Sequence, residues 1–127
     1  MNTDEYLASI HLALVENVVV ARYDIVRQRI TSQSGYLRVR IALTNGDFLE
    51  AAEFFGLTRN GIEVIDYRYQ WMDHSHTQLR MRWDNAPHYP ALDNAPHHCH
   101  DGDEANVVPG HPLSLQQVLG IIARSIV

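Results

Sequence analysis

The run Leu37-Arg38-Val39-Arg40-Ile41-Ala42-Leu43, followed by Asn45-Gly46, constrains this chain more than any other stretch. Its residues alternate apolar and polar with a period of two, which only a pleated strand converts into two distinct faces. Asn-Gly between alternating segments marks a hairpin, because tight turns need residues that tolerate positive φ. Phe48 to Phe55 is then the returning strand. A protein built on such a hairpin must cover one side of an antiparallel sheet.

The rest of the chain supplies both sheet and cover. Residues 3–15 carry Leu7, Ile10 and Leu14 at helical spacing, with Leu12 and Val15 widening the stripe. Thr3 is a candidate N-cap, and Asp4 and Glu5 suit the positive end of a helix. Val18 to Ile30 is rich in β-branched residues and reads as a strand. Asn60-Gly61 introduces Ile62 to Met72, where Ile65, Tyr67, Tyr69 and Trp71 share a face, and Leu79 to Trp83 alternates again. Residues 84–113 read as loop, and Ser114-Leu115-Gln116-Gln117 as a capping box that opens a final helix of Leu115, Val118, Leu119, Ile122 and Ile126. The expected fold is a single α+β domain over residues 1–127. It is an antiparallel meander of about five strands, packed on one face by N- and C-terminal helices.

The second face of that sheet is basic. All ten cationic residues are arginines, and no lysine occurs. Arginine favours forked recognition of phosphate or carboxylate, although a GC-rich coding sequence would produce the same bias. Alternation places Arg38, Arg40, Arg68, Arg80 and Arg82 on one side, with Asp66 and Gln70 among them. That face reads either as a phosphate-binding surface or as a solvated sheet laced with ion pairs. A two-residue Asn45-Gly46 turn would pair Arg38 with Glu53 and set Glu50 opposite Ile41 on the apolar side. A carboxylate is badly placed there, so a bulge that shifts the register is preferred.

Bulk properties narrow the function classes. A 127-residue chain with 46% apolar and 20% charged residues is globular rather than disordered. A net charge of −5 argues against a general nucleic-acid binder. The longest apolar runs span only a few residues, so no membrane partner is expected. MNTDEY lacks a signal peptide's layout, and the lone Cys99 has no internal disulfide partner, so a cytoplasmic protein is expected.

Residues 84–101, DNAPHYPALDNAPHHCHD, hold the chain's densest chemistry. The pentapeptide DNAPH occurs twice, and the 84–113 segment holds all five prolines and five of the eight histidines. Three readings fit. His97, His98 and His100 with Asp101 or Cys99, joined by His74 and His76, offer zinc ligands, but adjacent histidines point apart and no second cluster has zinc-finger spacing. Alternatively, His88, His97, His98 and His100 act as general acid and base near neutral pH, with Asp84 orienting a histidine and the arginines stabilising an anion. Cleavage of RNA by its own 2′-hydroxyl needs those parts and no metal. In the third reading, Asp84-Asn85 and Asp93-Asn94 form Asx turns and the histidines cap backbone groups.

Tyr67-Arg68-Tyr69-Gln70-Trp71, Arg82-Trp83-Asp84-Asn85-Ala86-Pro87-His88-Tyr89-Pro90, Pro96-His97-His98-Cys99-His100 and Val107-Val108-Pro109 together resemble the TumE-type toxins of prokaryotic toxin–antitoxin systems. The resemblance covers roughly residues 36–120. Two departures stand out: Cys99 replaces a usual lysine, and the Asp93-Asn94-Ala95 copy is no part of the family pattern. The resemblance implies a type II toxin silenced by a small helix-turn-helix, DNA-binding antitoxin. A ribonuclease fold like that of the barnase and RelE group follows by analogy only.

The leading expectation is a metal-independent endoribonuclease with no cofactor and RNA as substrate. His88, His97, His98, His100 and Asp84 are its catalytic candidates, and Arg38, Arg40, Arg68, Arg80 and Arg82 its substrate-binding ones. A non-enzymatic binding module and a zinc-dependent hydrolase are the alternatives. A homodimer is left open by the sequence.

Overall fold

The computed structural model describes residues 1–126. Two helices, α1 (Thr3–Glu16) and α2 (Leu115–Ile126), bracket seven strands. These are β1 (Val20–Ile30), β2 (Ser34–Leu43), β3 (Phe48–Thr58), β4 (Gly61–Met72), β5 (Leu79–Asp84), β6 (His98–Asp101) and β7 (Val107–Pro109). They form one antiparallel sheet in strict chain order, β1 to β7. The expected meander is therefore present, but longer than five strands. β6 and β7 come from the segment expected to be loop.

Both helices cover the same face of the sheet. Leu7, Ile10 and Leu14 of α1 and Leu115, Val118, Leu119 and Ile122 of α2 are buried with Leu37, Val39, Ile41, Leu43, Tyr67, Tyr69, Trp71, Trp83 and Cys99. Leu12 and Val15 do not join the stripe; they are exposed. The N-cap of α1 is Asn2, one residue before Thr3. Its side chain accepts from the Glu5 N–H, and the Glu5 carboxylate accepts from the Asn2 N–H. The Ser114–Gln117 capping box of α2 is present as expected. No helix among the described residues is long and apolar enough to cross a membrane.

The β2–β3 turn decides which side chains face which way. It is a three-residue connection: the Gly46 N–H donates to the Leu43 carbonyl, Gly46 takes φ of +90°, and the Leu43 N–H donates to the Asp47 carbonyl. This is a type I turn closed by a glycine bulge. The extra residue moves the register by one, and a one-residue slip exchanges the faces. Glu50 accordingly pairs with Arg40 on the open face, as a bulge requires. Glu53 pairs with Leu37 instead of Arg38 and points into the core.

Glu53 is 1% exposed and fully satisfied there. Its carboxylate accepts from the Tyr6 hydroxyl of α1 (2.7 Å), the Tyr69 hydroxyl of β4 (2.7 Å) and the Leu115 N–H at the start of α2 (2.9 Å). One buried acid thus ties both helices to the sheet. Burial, followed by the charge of Glu53, raises both phenol pKa values well above normal.

Two further bulges redirect predicted face residues. In β4, Asp66 pairs with Phe54 and Val64 with Phe55, so Ile65 is the extra residue and is exposed rather than aligned with Tyr67. In β5, Met81 pairs with Trp71 and Leu79 with Met72, so Arg80 is extra.

Candidate active site

Opposite the helices, the register builds two rows of side chains across the sheet. One row runs Arg38, Ala52, Arg68, Asp84, His98; the next runs Arg40, Glu50, Gln70, Arg82, His100. The basic face expected from alternation is real for Arg38, Arg40, Arg68 and Arg82. Its last two strands converge in a groove of about 720 Å³, lined by Arg68, Arg82, Asp84, His88, Tyr89, His98, His100 and Glu104 together with Tyr36, Phe54, Asp66 and Asn85.

Local sequence explains how the imidazoles reach the groove. β5 ends at Asp84, whose Oδ1 accepts from the Ala86 N–H at 3.0 Å and turns the chain away. Asn85 extends the pairing with its side chain, accepting from the Tyr67 N–H and donating to the Ile65 carbonyl. After the proline-rich excursion the chain returns as β6, with His98 opposite Asp84 and His100 opposite Arg82. Because side chains alternate along a strand, His98 and His100 face the groove and Cys99 faces the core. The two DNAPH copies do different work: Asn85 is stitched to β4, while Asn94, at φ +63°, donates to the Gly110 carbonyl beside β7.

The two central imidazoles have different hydrogen-bond partners. His98 Nδ1 lies 3.0 Å from the Pro96 carbonyl and its Nε2 lies 2.9 Å from Asp84 Oδ1. Both partners are acceptors, so the ring is held between a backbone carbonyl and a carboxylate. His100 differs: Nδ1 donates to the Glu104 carbonyl at 2.8 Å, and Nε2 receives Arg82 Nη2 at 3.1 Å. A guanidinium can only donate, so His100 Nε2 is the acceptor in that contact. His98 and His100 stand 5.1 Å apart between ring centres, at 75°. Tyr89 lies across both, with its ring 4.9 Å from His98 and 6.0 Å from His100.

Arg82 is clamped. Its Nη1 and Nη2 donate to the two Glu104 oxygens at 2.7 and 2.6 Å, and Asp84 Oδ2 lies 3.4 Å from its Nε. Paired with Arg82, the Glu104 carboxyl is held below the usual carboxylate range. Arg68 is different again: it donates to Gln70 and has no carboxylate partner among the described residues. Arg38 and Arg40 both engage Glu50 and lie beside the groove rather than in its lining.

Several predicted residues lie elsewhere. Arg80, displaced by its bulge, reaches Asp47 Oδ2 at 3.2 Å, where the Trp71 indole N–H also donates. His97 faces away from the groove, its Nδ1 bonded to the Tyr67 hydroxyl at 2.8 Å and its ring parallel to the phenol. Burial, then the neighbouring His111 and His98, lowers its pKa. His88 is exposed at the groove's rim. The Cys99 thiol is pushed up to about 11 by burial, then by Asp101 and Asp84, so it is not a poised nucleophile. The predicted zinc set is therefore not assembled: strand parity sends His97 and Cys99 away from His98 and His100, Asp101 is exposed, and His76 stacks on Phe48.

Tyr89 and Glu104 belong to the site but were not predicted. Tyr89 stands inside the doubled motif and its aromatic character was the available signal. Glu104 lies in a polar turn and carries none.

Searches of characterised proteins and of solved structures gave no match to this chain. A family model described as Toxin TumE matches residues 10–126, nearly the full length and the whole of the groove. The chain belongs to the TumE toxin family.

Proposed function

We propose that this toxin acts on RNA as a metal-independent endoribonuclease centred on Asp84, His98 and His100. The observation that carries the reading is the placement of His98 on the Asp84 carboxylate and of His100 on the Arg82 guanidinium, side by side in a single groove that Arg68 also lines. His100 Nε2 is the base that takes the 2′-hydroxyl proton once substrate displaces Arg82 from it. The His98–Asp84 pair returns a proton to the departing 5′-oxygen. Bond-making at phosphorus and bond-breaking to the leaving oxygen balance, leaving a 2′,3′-cyclic phosphate. Arg82 and the unclaimed Arg68 stabilise the phosphate charge. Tyr89 offers an aromatic face at the groove for a base to stack on. Asp84 both loads His98 and orients it.

As a member of a toxin family, the protein would be held silent by a cognate antitoxin, for which a small helix-turn-helix DNA-binding protein is the proposed type. Occlusion of the groove would be the simplest means of silencing.

The test is a labelled single-stranded RNA incubated with purified protein in excess EDTA. Cleavage to 2′,3′-cyclic ends is expected, and His98→Ala or His100→Ala should slow it by about 100-fold or more, the scale of acid–base catalysis. Intact RNA, or cleavage abolished by the chelator, would overturn the assignment.

A further inference from the structure

The same three side chains have a second capability. Asp84, His98 and His100 each offer one ligand atom, all within 4.8 Å of one another, and all three residues are buried. His98 Nε2 lies 2.9 Å from Asp84 Oδ1, and His100 Nε2 lies 3.9 Å from Asp84 Oδ2. Ligands about 2.1 Å from a tetrahedral zinc ion stand about 3.4 Å from each other, between those two separations. With all three ligand atoms within 4.8 Å of one another, closing the cage draws them together by at most about 1.4 Å.

The surroundings match the needs of a metal. Each ring presents Nε2 to the common centre and turns Nδ1 to a backbone carbonyl, Pro96 for His98 and Glu104 for His100. Metal-bound histidines depend on that outer bond, which fixes the ring and its tautomer. Two imidazoles and a carboxylate suit borderline divalent cations such as Zn²⁺, and leave a coordination position open. One group opposes binding: Arg82 Nη2 occupies the His100 lone pair at 3.1 Å. Its two bonds to Glu104 supply an alternative anchor when it withdraws.

We propose that Asp84, His98 and His100 form a binding site for a zinc-class divalent cation, and that the bound ion silences the proton chemistry of the groove. The ion takes Nε2 of His98, Nε2 of His100 and an Asp84 oxygen, the atoms that the proposed cleavage uses, so acid and base are lost together. The second half of this inference rests on the ribonuclease reading; the first half does not.

Zinc titration of the metal-stripped protein, in competition with a chromogenic chelator, tests binding without any activity assay. One equivalent per chain is expected, with a rise in the thermal unfolding temperature. Asp84→Asn and His100→Ala should each weaken binding by more than about 100-fold, since loss of an outer-shell partner alone costs 10–100-fold. His97→Gln and His111→Gln, on histidines outside the groove, should bind as the parent does. Far-UV circular dichroism of each metal-free variant separates a lost ligand from a lost fold. The site is refuted if zinc does not bind, or if folded Asp84→Asn binds as tightly as the parent. Where RNA cleavage is measurable, one equivalent of zinc should abolish it and chelator restore it. Unchanged or faster cleavage with zinc bound would overturn the silencing and leave the site standing.

Discussion

Glu50 and Glu53 lie on the same strand, yet one faces the open side of the sheet and the other is buried in the core. The misfit of Glu50 was legible in the sequence, because a carboxylate opposite Ile41 demanded a bulge. The consequence for Glu53 was not, since nothing local marks three donors arriving from α1, β4 and α2. Glu53→Ala removes the acceptor of the part-buried Tyr6 hydroxyl and of the buried Leu115 N–H, and leaves the Tyr69 hydroxyl only the Leu113 carbonyl at 3.0 Å. Buried groups left unpaired cost about 1–3 kcal/mol each, so a loss of about 3–5 kcal/mol is expected in urea unfolding. A loss below about 1 kcal/mol would show that water reaches the cluster. Gly110 is a second residue whose role is set by contact alone. A Cβ there would lie 3.0 Å from the backbone N, Cα and C of His98. Gly110→Ala should therefore displace His98 and impair both RNA cleavage and zinc binding, while circular dichroism stays native.

The long strands and both helices were readable because each carries its own periodicity and turn or cap signals. β6 and β7 were not, being four and three residues long among prolines and polar side chains. Their extended state comes from pairing with β5, which is a tertiary effect. The polar–apolar–polar order of His98, Cys99 and His100, with Val107-Val108 beyond, was the available sign. That omission mattered for the site, since strand parity is what separates His98 and His100 from His97 and Cys99. The β4–β5 turn has an element-scale signature in pH. Asp73 accepts from the Thr77 and Gln78 N–H groups and from the Ser75 hydroxyl. The backbone bond from Gln78 leads in lowering its pKa from 3.8 to about 2. A depressed carboxylate stabilises the fold above its unfolded pKa, and that contribution fades as pH falls through the folded value. The pH-dependent part of the parent's stability advantage over Asp73→Asn should thus be constant above about pH 5 and be lost progressively toward about pH 1. Chemical denaturation at several pH values reads it directly, and a pH-independent difference would contradict the assignment.

At the scale of the whole molecule, one sheet separates two functions. One face carries the helices and the apolar core; the other carries two cross-strand rows that end in Asp84–His98 and Arg82–His100. The basic face was readable from alternation, and the imidazole cluster from composition. What the sequence could not provide was the distinction between arginines already paired with Glu50, Asp47 or Glu104 and Arg68, which has no carboxylate partner among the described residues. Arg68→Ala should accordingly weaken RNA binding more than Arg80→Ala, by about tenfold against little change, in a fluorescence anisotropy titration at fixed salt. Equal effects would mean that the face acts through bulk charge.

The toxicity of this protein is proposed to reside in the Asp84–His98–His100 centre. Its most direct measurement is growth after induced expression of the parent protein and of His98→Ala and His100→Ala, with soluble yield and circular dichroism confirming that all three fold. The expected result is arrest by the parent and normal growth with either variant. Arrest by a folded His98→Ala protein as complete as by the parent would contradict it.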